Sequence, residues 1–340
     1  MLLCLGGSFT GYSQTVVFNT DQSIPVFRYT DYLINSWTGG FNAPQFSTMD
    51  LNGDSADDLV IFDRTSNRLY TFEASTMAGN PVYRHIPKYE SMFPALESWV
   101  LLVDYDGDGR KDIFAHANLG VMVYRNITTS DTLKWQLMAD PLYQQYSNNP
   151  APNNIYVNIT DIPAITDIDY DGDYDILNYN FFNGANIEFH KNLSVETYGH
   201  NDSLNFKAID DCYGGIIETS CNYSFGGSCP VTRMGQITHV GAASLLIIDE
   251  NGDGDKDIFS GKEDCVDLFE LPNTGSAGSP AFSSVHTYPQ NTSAIRFPGM
   301  PGLYFEDLDF DGIKDILASP SMFTNSALGV NDTIDFQHSC

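Results

Sequence analysis

Five short stretches of this 340-residue chain bring acidic side chains together at one fixed spacing. The clearest is Asp104-Tyr-Asp106-Gly-Asp108-Gly-Arg110-Lys-Asp112. Oxygens at alternate positions of a tight turn point to a common centre, and such a centre suits a hard cation with many oxygen ligands, above all calcium. Counting from Asp104, positions one, three and five supply side-chain oxygens, position seven a backbone carbonyl and position nine a further carboxylate. Position six makes the bend, which glycine allows without steric cost.

The same register returns four more times. The side-chain ligands read Asp50, Asn52, Asp54 and Asp58, then Asp104, Asp106, Asp108 and Asp112, then Asp167, Asp169, Asp171 and Asp175. Asp249, Asn251, Asp253 and Asp257 follow, and Asp307, Asp309, Asp311 and Asp315 complete the set. The position-seven carbonyls belong to Ala56, Arg110, Asp173, Asp255 and Ile313. The expected cofactor is calcium, Ca2+, up to five ions. Position six is Gly109, Gly172, Gly254 or Gly312 but Ser55 in the first loop, so the first site is expected to be the weakest. Five acidic turns in one register argue against unligated turns, because carboxylates this close repel one another without a counter-ion.

An EF-hand opens in the same way, but it closes with a bidentate Glu at position twelve and lies between helices. Here position twelve is Ile61, Ala115, Asn178, Ser260 or Ala318. Apolar runs flank the loops instead, as in Trp99-Val-Leu-Leu-Val103 before one and Leu59-Val-Ile-Phe62 after another. The unit is therefore strand, acidic turn, strand. After the second strand comes a run ending in Asn, namely Val121 to Asn126, Ile187 to Asn192 and Leu268 to Asn273, and then a further strand at Leu133–Leu137, Leu204–Phe206 or Ala281–Ser283. Four strands make one blade, and the intervals between Asp50, Asp104, Asp167, Asp249 and Asp307 are of blade size. With no long helical periodicity anywhere, the fold class is all-β, a β-propeller of four-stranded blades carrying calcium-binding loops.

The Asp-x-Asp/Asn-x-Asp-Gly-x-x-Asp-Ile/Leu loop followed by the aromatic-x-Asn step resembles the FG-GAP and VCBS-type repeat family, over about residues 40 to 320. The resemblance implies a calcium-bearing propeller of the kind found in the integrin α-subunit and in secreted bacterial proteins, used in adhesion or carbohydrate binding. It carries no activity across. Such propellers commonly have about seven blades, whereas five loops are present here. A truncated, open array is expected, unless Val16 to Trp37 supplies missing strands.

Met1 to Ser13 is apolar and small and reads as a signal peptide cleaved after Ser13, without its basic start. A lipoprotein reading through Cys4 is disfavoured by the bulky Leu3 before it. Residues 14–340 then form the repeats. No later run is long enough to span a membrane. The protein is expected to be secreted or at the cell surface, and its formal charge of -28 makes nucleic acid and anionic membrane poor partners. An extracellular glycan or protein is the expected partner.

The interval between the third and fourth loops is the longest and holds Cys212, Cys221 and Cys229, with Cys265 beyond the fourth loop. In an exported chain these read as disulfides that staple the insert internally. Cys340 has no evident partner. The insert, Asp210 to Arg233, does not repeat, and its Tyr213, Tyr223 and Phe225 suit stacking against a partner.

For catalysis there is no His-Glu-x-x-His, Gly-x-Ser-x-Gly or phosphate-binding glycine loop. His116 and His190 lie on strand-like runs and read as packed. Asn126-Ile-Thr128 and Asn192-Leu-Ser194 match the glycosylation pattern, and a chance match is the favoured reading if the source is bacterial. Two functions remain: a calcium-stabilised binding module, which is favoured, and a propeller hydrolase or lyase acting on polysaccharide with catalytic groups spread over several blades.

Overall fold

A computed structural model of the chain describes residues 24–129, 132–146, 149–227, 229, 241–290, 292–297 and 299–321. The signal peptide expected over 1–13, with Cys4, the strand expected at Val16–Phe18, the last residues of the insert and Cys340 lie outside the described residues. The chain divides into two units, Met1–Gly39 and Gly40–Cys340. In the first, β1 (Val26–Arg28) and β2 (Asp31–Leu33) form an antiparallel hairpin, and the Trp37 indole N–H donates to Ile24 O at 2.8 Å. These two strands pair with each other, so they do not complete a blade.

The second unit holds the propeller. The first blade is β3 (Pro44–Met49), β4 (Asp58–Asp63), β5 (Arg68–Met77) and β6 (Asn80–His85), each antiparallel to the next. The second is β7 (Val100–Val103), β8 (Asp112–Ala117), β9 (Gly120–Asn126) and β10 (Trp135–Ala139). The third sheet has six strands: β11 (Tyr143–Tyr146), β12 (Asn149–Asn154), β13 (Ala164–Thr166), β14 (Asp175–Tyr179), β15 (Ile187–Asn192) and β16 (Phe206–Asp210). Their order is β12-β11-β16-β15-β14-β13, with β11 parallel to β16. A short helix, α1 (Ser194–Tyr198), joins β15 to β16. The insert forms its own hairpin, β17 (Ile217–Thr219) with β18 (Asn222–Ser224). The fourth blade is β19 (Ala243–Ile248), β20 (Asp257–Lys262), β21 (Phe269–Leu271) and β22 (His286–Thr287), and a two-stranded sheet, β23 (Pro301–Glu306) with β24 (Asp315–Pro320), follows. The outer strand expected at Ala281–Ser283 is β22 instead, and Phe282 makes only an isolated bridge to Asn273.

The sequence of the second strands explains the packing. Successive side chains of a strand point to opposite faces. In β4, Val60 and Phe62 pack toward the second blade with Met49, Val100 and Ile113, while Leu59 and Ile61 pack the other way with Phe72 and Leu308. A strand buried on both faces must be apolar at every position, which is why Leu59-Val-Ile-Phe62 and Ile113-Phe-Ala115 are unbroken apolar runs. Each such side chain removed from water contributes roughly 1.5–3 kcal/mol.

The expected open array is overturned, because the ring closes. The innermost strands β3, β7, β13, β19 and β23 stand side by side in cyclic order, with β23 against both β19 and β3. Thr48 Oγ1 donates to Glu306 Oε2 at 2.8 Å, Ser319 Oγ to Pro44 O at 2.6 Å, and the Phe46 and Tyr304 rings meet edge to face. Among the described residues five inner strands form the ring. A channel cavity of about 180 Å³ runs between the inner strands, lined by Phe46, Leu101, Ile165, Leu246 and Phe305, one from each. At one end the fully buried Arg64 donates to the carbonyls of Ser98 (2.6 Å), Thr160 (2.8 Å) and Ser321 (2.7 Å), which binds the first, second, third and last sheets together.

Candidate metal centres and a lateral pocket

All five acidic loops connect the first and second strands of a sheet, so they share one rim of the ring. Their backbone is built by the carboxylates. Position one accepts the N–H of position six in every loop, at 2.9 to 3.1 Å. Position five accepts the N–H of position seven in every loop, at 2.7 to 3.1 Å. These bonds bend the chain through left-handed backbone at positions four and six. Ser55 does so at φ 71°, and Tyr170 and Phe310 take position four at 61° and 64°, where a side chain is strained.

Position nine is a staple. Its Oδ2 accepts the N–H of position two in four loops, from Leu51 to Asp58, Tyr105 to Asp112, Ile168 to Asp175 and Leu308 to Asp315. Its Oδ1 accepts from the third strand of the same blade or just beyond it, Ala74 to Asp58, Asn126 to Asp112, Asn192 to Asp175 and Asn273 to Asp257, at 2.7 to 2.8 Å. Asp58, Asp112, Asp175 and Asp257 are fully buried, while Asp315 is exposed. Burial pushes the carboxyl of Asp58 up to about 6, of Asp112 to about 7 and of Asp175 to about 8, against the pull of those backbone N–H groups.

Three of the loops gather carboxylates closely. Asp104, Asp106 and Asp108 each offer an oxygen within 4.8 Å of the others, as do Asp307, Asp309 and Asp311. The third loop has two such sets, Asp167 with Asp169 and Asp175, and Asp169 with Asp171 and Glu196. In the first and fourth loops Asn52 and Asn251 take position three, and their Oδ1 atoms accept from the position-five N–H of Asp54 and Asp253. The donor set is all oxygen, and Asp257 Oδ2, at position nine of the fourth loop, is buried without a hydrogen-bond partner. Residues of this kind fit a hard cation.

Sequence reasoning missed what lies over the loops. The side chain just before the residue whose N–H donates to the staple reaches position three: Glu73 accepts from Asn52 Nδ2 at 3.1 Å, Arg125 Nε lies 2.9 Å from Asp106 Oδ2, and Lys191 Nζ meets Asp169, Asp171 and Glu196. Burial works against the Lys191 ammonium, but its hydrogen bonds to Asp169, Glu196 and Asp171 hold it well above the usual lysine range. The signal was present as a charged residue ahead of Asn126 and Asn192.

The aromatic residues of the insert do not face outward as expected. Tyr213 is buried, and Tyr223 and Phe225 pack on the same core cluster, with Tyr223 against Phe269 and Tyr213 against Phe189. Two disulfides hold this region: Cys212–Cys229 staples the insert internally, and Cys221–Cys265 ties it to the fourth blade. The two glycosylation-pattern asparagines are buried and occupied, Asn126 Nδ2 donating to Lys111 O and Asn192 Nδ2 to Ser203 O. His190 is buried between Gln144 Oε1 (2.6 Å) and Asn178 Oδ1 (2.8 Å), as a packed histidine.

The exposed individuality lies on the third sheet. Tyr146, Glu188, His190, Ala208, Asp210 and Asp211 line a cavity of about 250 Å³. Phe189 pairs with Asp210 but His190 with Ala208, so Ile209 is an extra residue that bulges β16 beside it.

Residues 50–115 match the family model described as FG-GAP-like repeat. The repeat matched over these residues lies within a chain whose inner strands close into a β-propeller-like ring. Among solved structures, a lectin of Agrocybe aegerita described as recognising non-reducing terminal N-acetylglucosamine is 14% identical with a TM-score of 0.37, covering 82% of this chain and 74% of that one. The Photorhabdus luminescens Tc holotoxin pore is 14% identical with a TM-score of 0.34, covering 82% of this chain and 13% of that one. A search of curated proteins finds no match. Among the described residues no helix is long and apolar enough to cross a membrane.

Proposed function

We propose that this chain is an extracellular or cell-surface binding module whose blades are stabilised by calcium and whose ligand is a glycan. The observation that carries the reading is the recurrence of one oxygen-lined loop, with its carboxylates gathered, on sheet after sheet of a closed ring. Positions one, three and five, the carbonyl at seven and the staple at nine would hold the ion, which supplies the positive charge that these carboxylates lack. Two disulfides fit an oxidising compartment. The lateral pocket supports the ligand class, because a sugar ring offers an apolar face to Tyr146 and hydroxyl donors to Glu188, Asp210 and Asp211.

Two measurements test this. With dissociation constants of about 0.1 to 1 mM, as in extracellular modules, one site at about 1 mM calcium contributes roughly 0.4 to 1.4 kcal/mol. Several sites together raise the melting temperature, and a melting temperature indifferent to chelator overturns the calcium role. On a glycan panel, retention without turnover is expected, with loss of retention in Glu188→Gln. Turnover would favour the hydrolase or lyase reading, and full retention by Glu188→Gln would move the site elsewhere.

A further inference from the structure

The third loop differs from the others in what stands above it. Lys191 Nζ lies 2.6 Å from Glu196 Oε1 and 3.0 Å from Asp171 Oδ2, and closest of all to Asp169 Oδ2. Asp169 and Asp171 are positions three and five, the same side chains that would take a metal ion. The placement follows from register. Lys191 directly precedes Asn192, whose N–H is fixed to the staple Asp175 at 2.8 Å, so strand and loop cannot slide past each other.

The same strand position in the other blades shows that the residue type decides the outcome. Pro272 stands there in the fourth blade and offers no charge. Glu73 in the first blade adds a carboxylate. Arg125 in the second is cationic, but it contacts one loop carboxylate, Asp106, while its guanidinium is shared with the Tyr105 hydroxyl and the Asp202 carbonyl. A lysine ammonium is instead a compact point charge with three rotatable donors. The Lys191 ammonium lies within 3.0 Å of three carboxylates, one of them from α1, whose Val195 N–H also donates to Asp173 Oδ2 at 2.9 Å. A divalent ion at positions three and five would sit beside this ammonium, and like charges at such a distance repel strongly.

We propose that Lys191 is the resident cation of the third loop: its ammonium draws Asp169, Asp171 and Glu196 together, so this loop is ordered without calcium and excludes the ion. The inference rests on the reading of the other loops as calcium sites. It also gives the blade that carries the lateral pocket a loop independent of the external calcium level.

Calorimetric calcium titration and melting in chelator, on the full chain, test it. Lys191→Met is expected to bind one more calcium than wild type, to melt a few degrees lower in chelator, and to regain that loss when calcium is added. The proposal is overturned if Lys191→Met has wild-type stoichiometry, or if it melts in chelator at the wild-type temperature. Asp311→Asn in the fifth loop serves as the separate control. If it loses no calcium, the reading of that loop fails, while gain or no gain of a site in Lys191→Met still decides the role of the lysine.

Discussion

The third and fifth loops have the same nine positions and the same bonds from position one to six and from five to seven, and both gather carboxylates, yet they sit in different surroundings. The third lies under Lys191, Glu196 and α1 in a sheet of six strands, and its staple Asp175 is fully buried. The fifth leads into a sheet with two described strands, its Asp311 and Ile313 are exposed, and its staple Asp315 lies open to solvent. The loop sequence therefore fixes a backbone shape, while the neighbouring strand decides whether that shape is already neutralised. One motif yields an internally compensated turn in one blade and an open candidate cation site in another.

The largest effect is expected where the weaker region is fastened to the stronger. Arg64 spans the Thr160 carbonyl ahead of the third sheet's inner strand and the Ser321 carbonyl after the last strand, with Ser98 between. Arg64→Met keeps bulk but leaves buried carbonyls unpaired, at a cost of about 3 kcal/mol or more. Hydrogen exchange should show protection lost first in β23 and β24 and last in β13 and β14. Equal loss in both would mean that the two regions do not differ in how they are held.

Next come the staples themselves. Asp175→Ala strands two buried N–H groups, those of Ile168 and Asn192, and should lower unfolding stability by about 2–4 kcal/mol. Among the described residues Asp315→Ala frees the Leu308 N–H alone and should change chelator-state stability little, while reducing calcium uptake by one site. Denaturant unfolding in chelator, paired with calcium titration, separates the two roles. If Asp315→Ala is as destabilising in chelator as Asp175→Ala, the contrast between the loops disappears.

Much of this arrangement was legible in the sequence because it depends on local spacing. The five registers, the strand on each side of the loop and the Asn that ends the third strand all follow from residues within one blade. Ring closure was not legible, because it rests on contacts such as Thr48 with Glu306 and Pro44 with Ser319, which join distant parts of the chain. The insert misled for a related reason. Tyr213, Tyr223 and Phe225 lie among glycines in a polar, loop-like stretch, but two disulfides pull that stretch onto a core whose apolar surface needs covering. Lys191 was visible as a residue type, and only the pairing of β14 with β15 brings it over Asp169.

The smallest expected effect concerns Asp161, which borders the third sheet's inner strand and bonds to the fourth through the Ala243 N–H at 2.9 Å. Burial raises its carboxyl from 3.8 to about 7, against the lowering influence of that N–H and of the Lys262 and Arg64 cations, while Glu263 adds to the rise. A carboxyl raised on folding contributes its full stability below the unfolded value of 3.8, and this is lost as pH climbs through about 7, since the unfolded chain releases the proton first. Asp161→Asn keeps an oxygen for the Ala243 N–H and cannot titrate. Relative to this variant, wild type should lose stability between pH 4 and pH 8. Urea unfolding of both proteins in chelator measures the difference, because the loop carboxylates titrate alike in each and cancel. Parallel profiles would show that the Lys262 and Arg64 cations already hold Asp161 ionised. The junction between the third and fourth sheets would then be as insensitive to pH as the lysine-filled loop above it is expected to be to calcium.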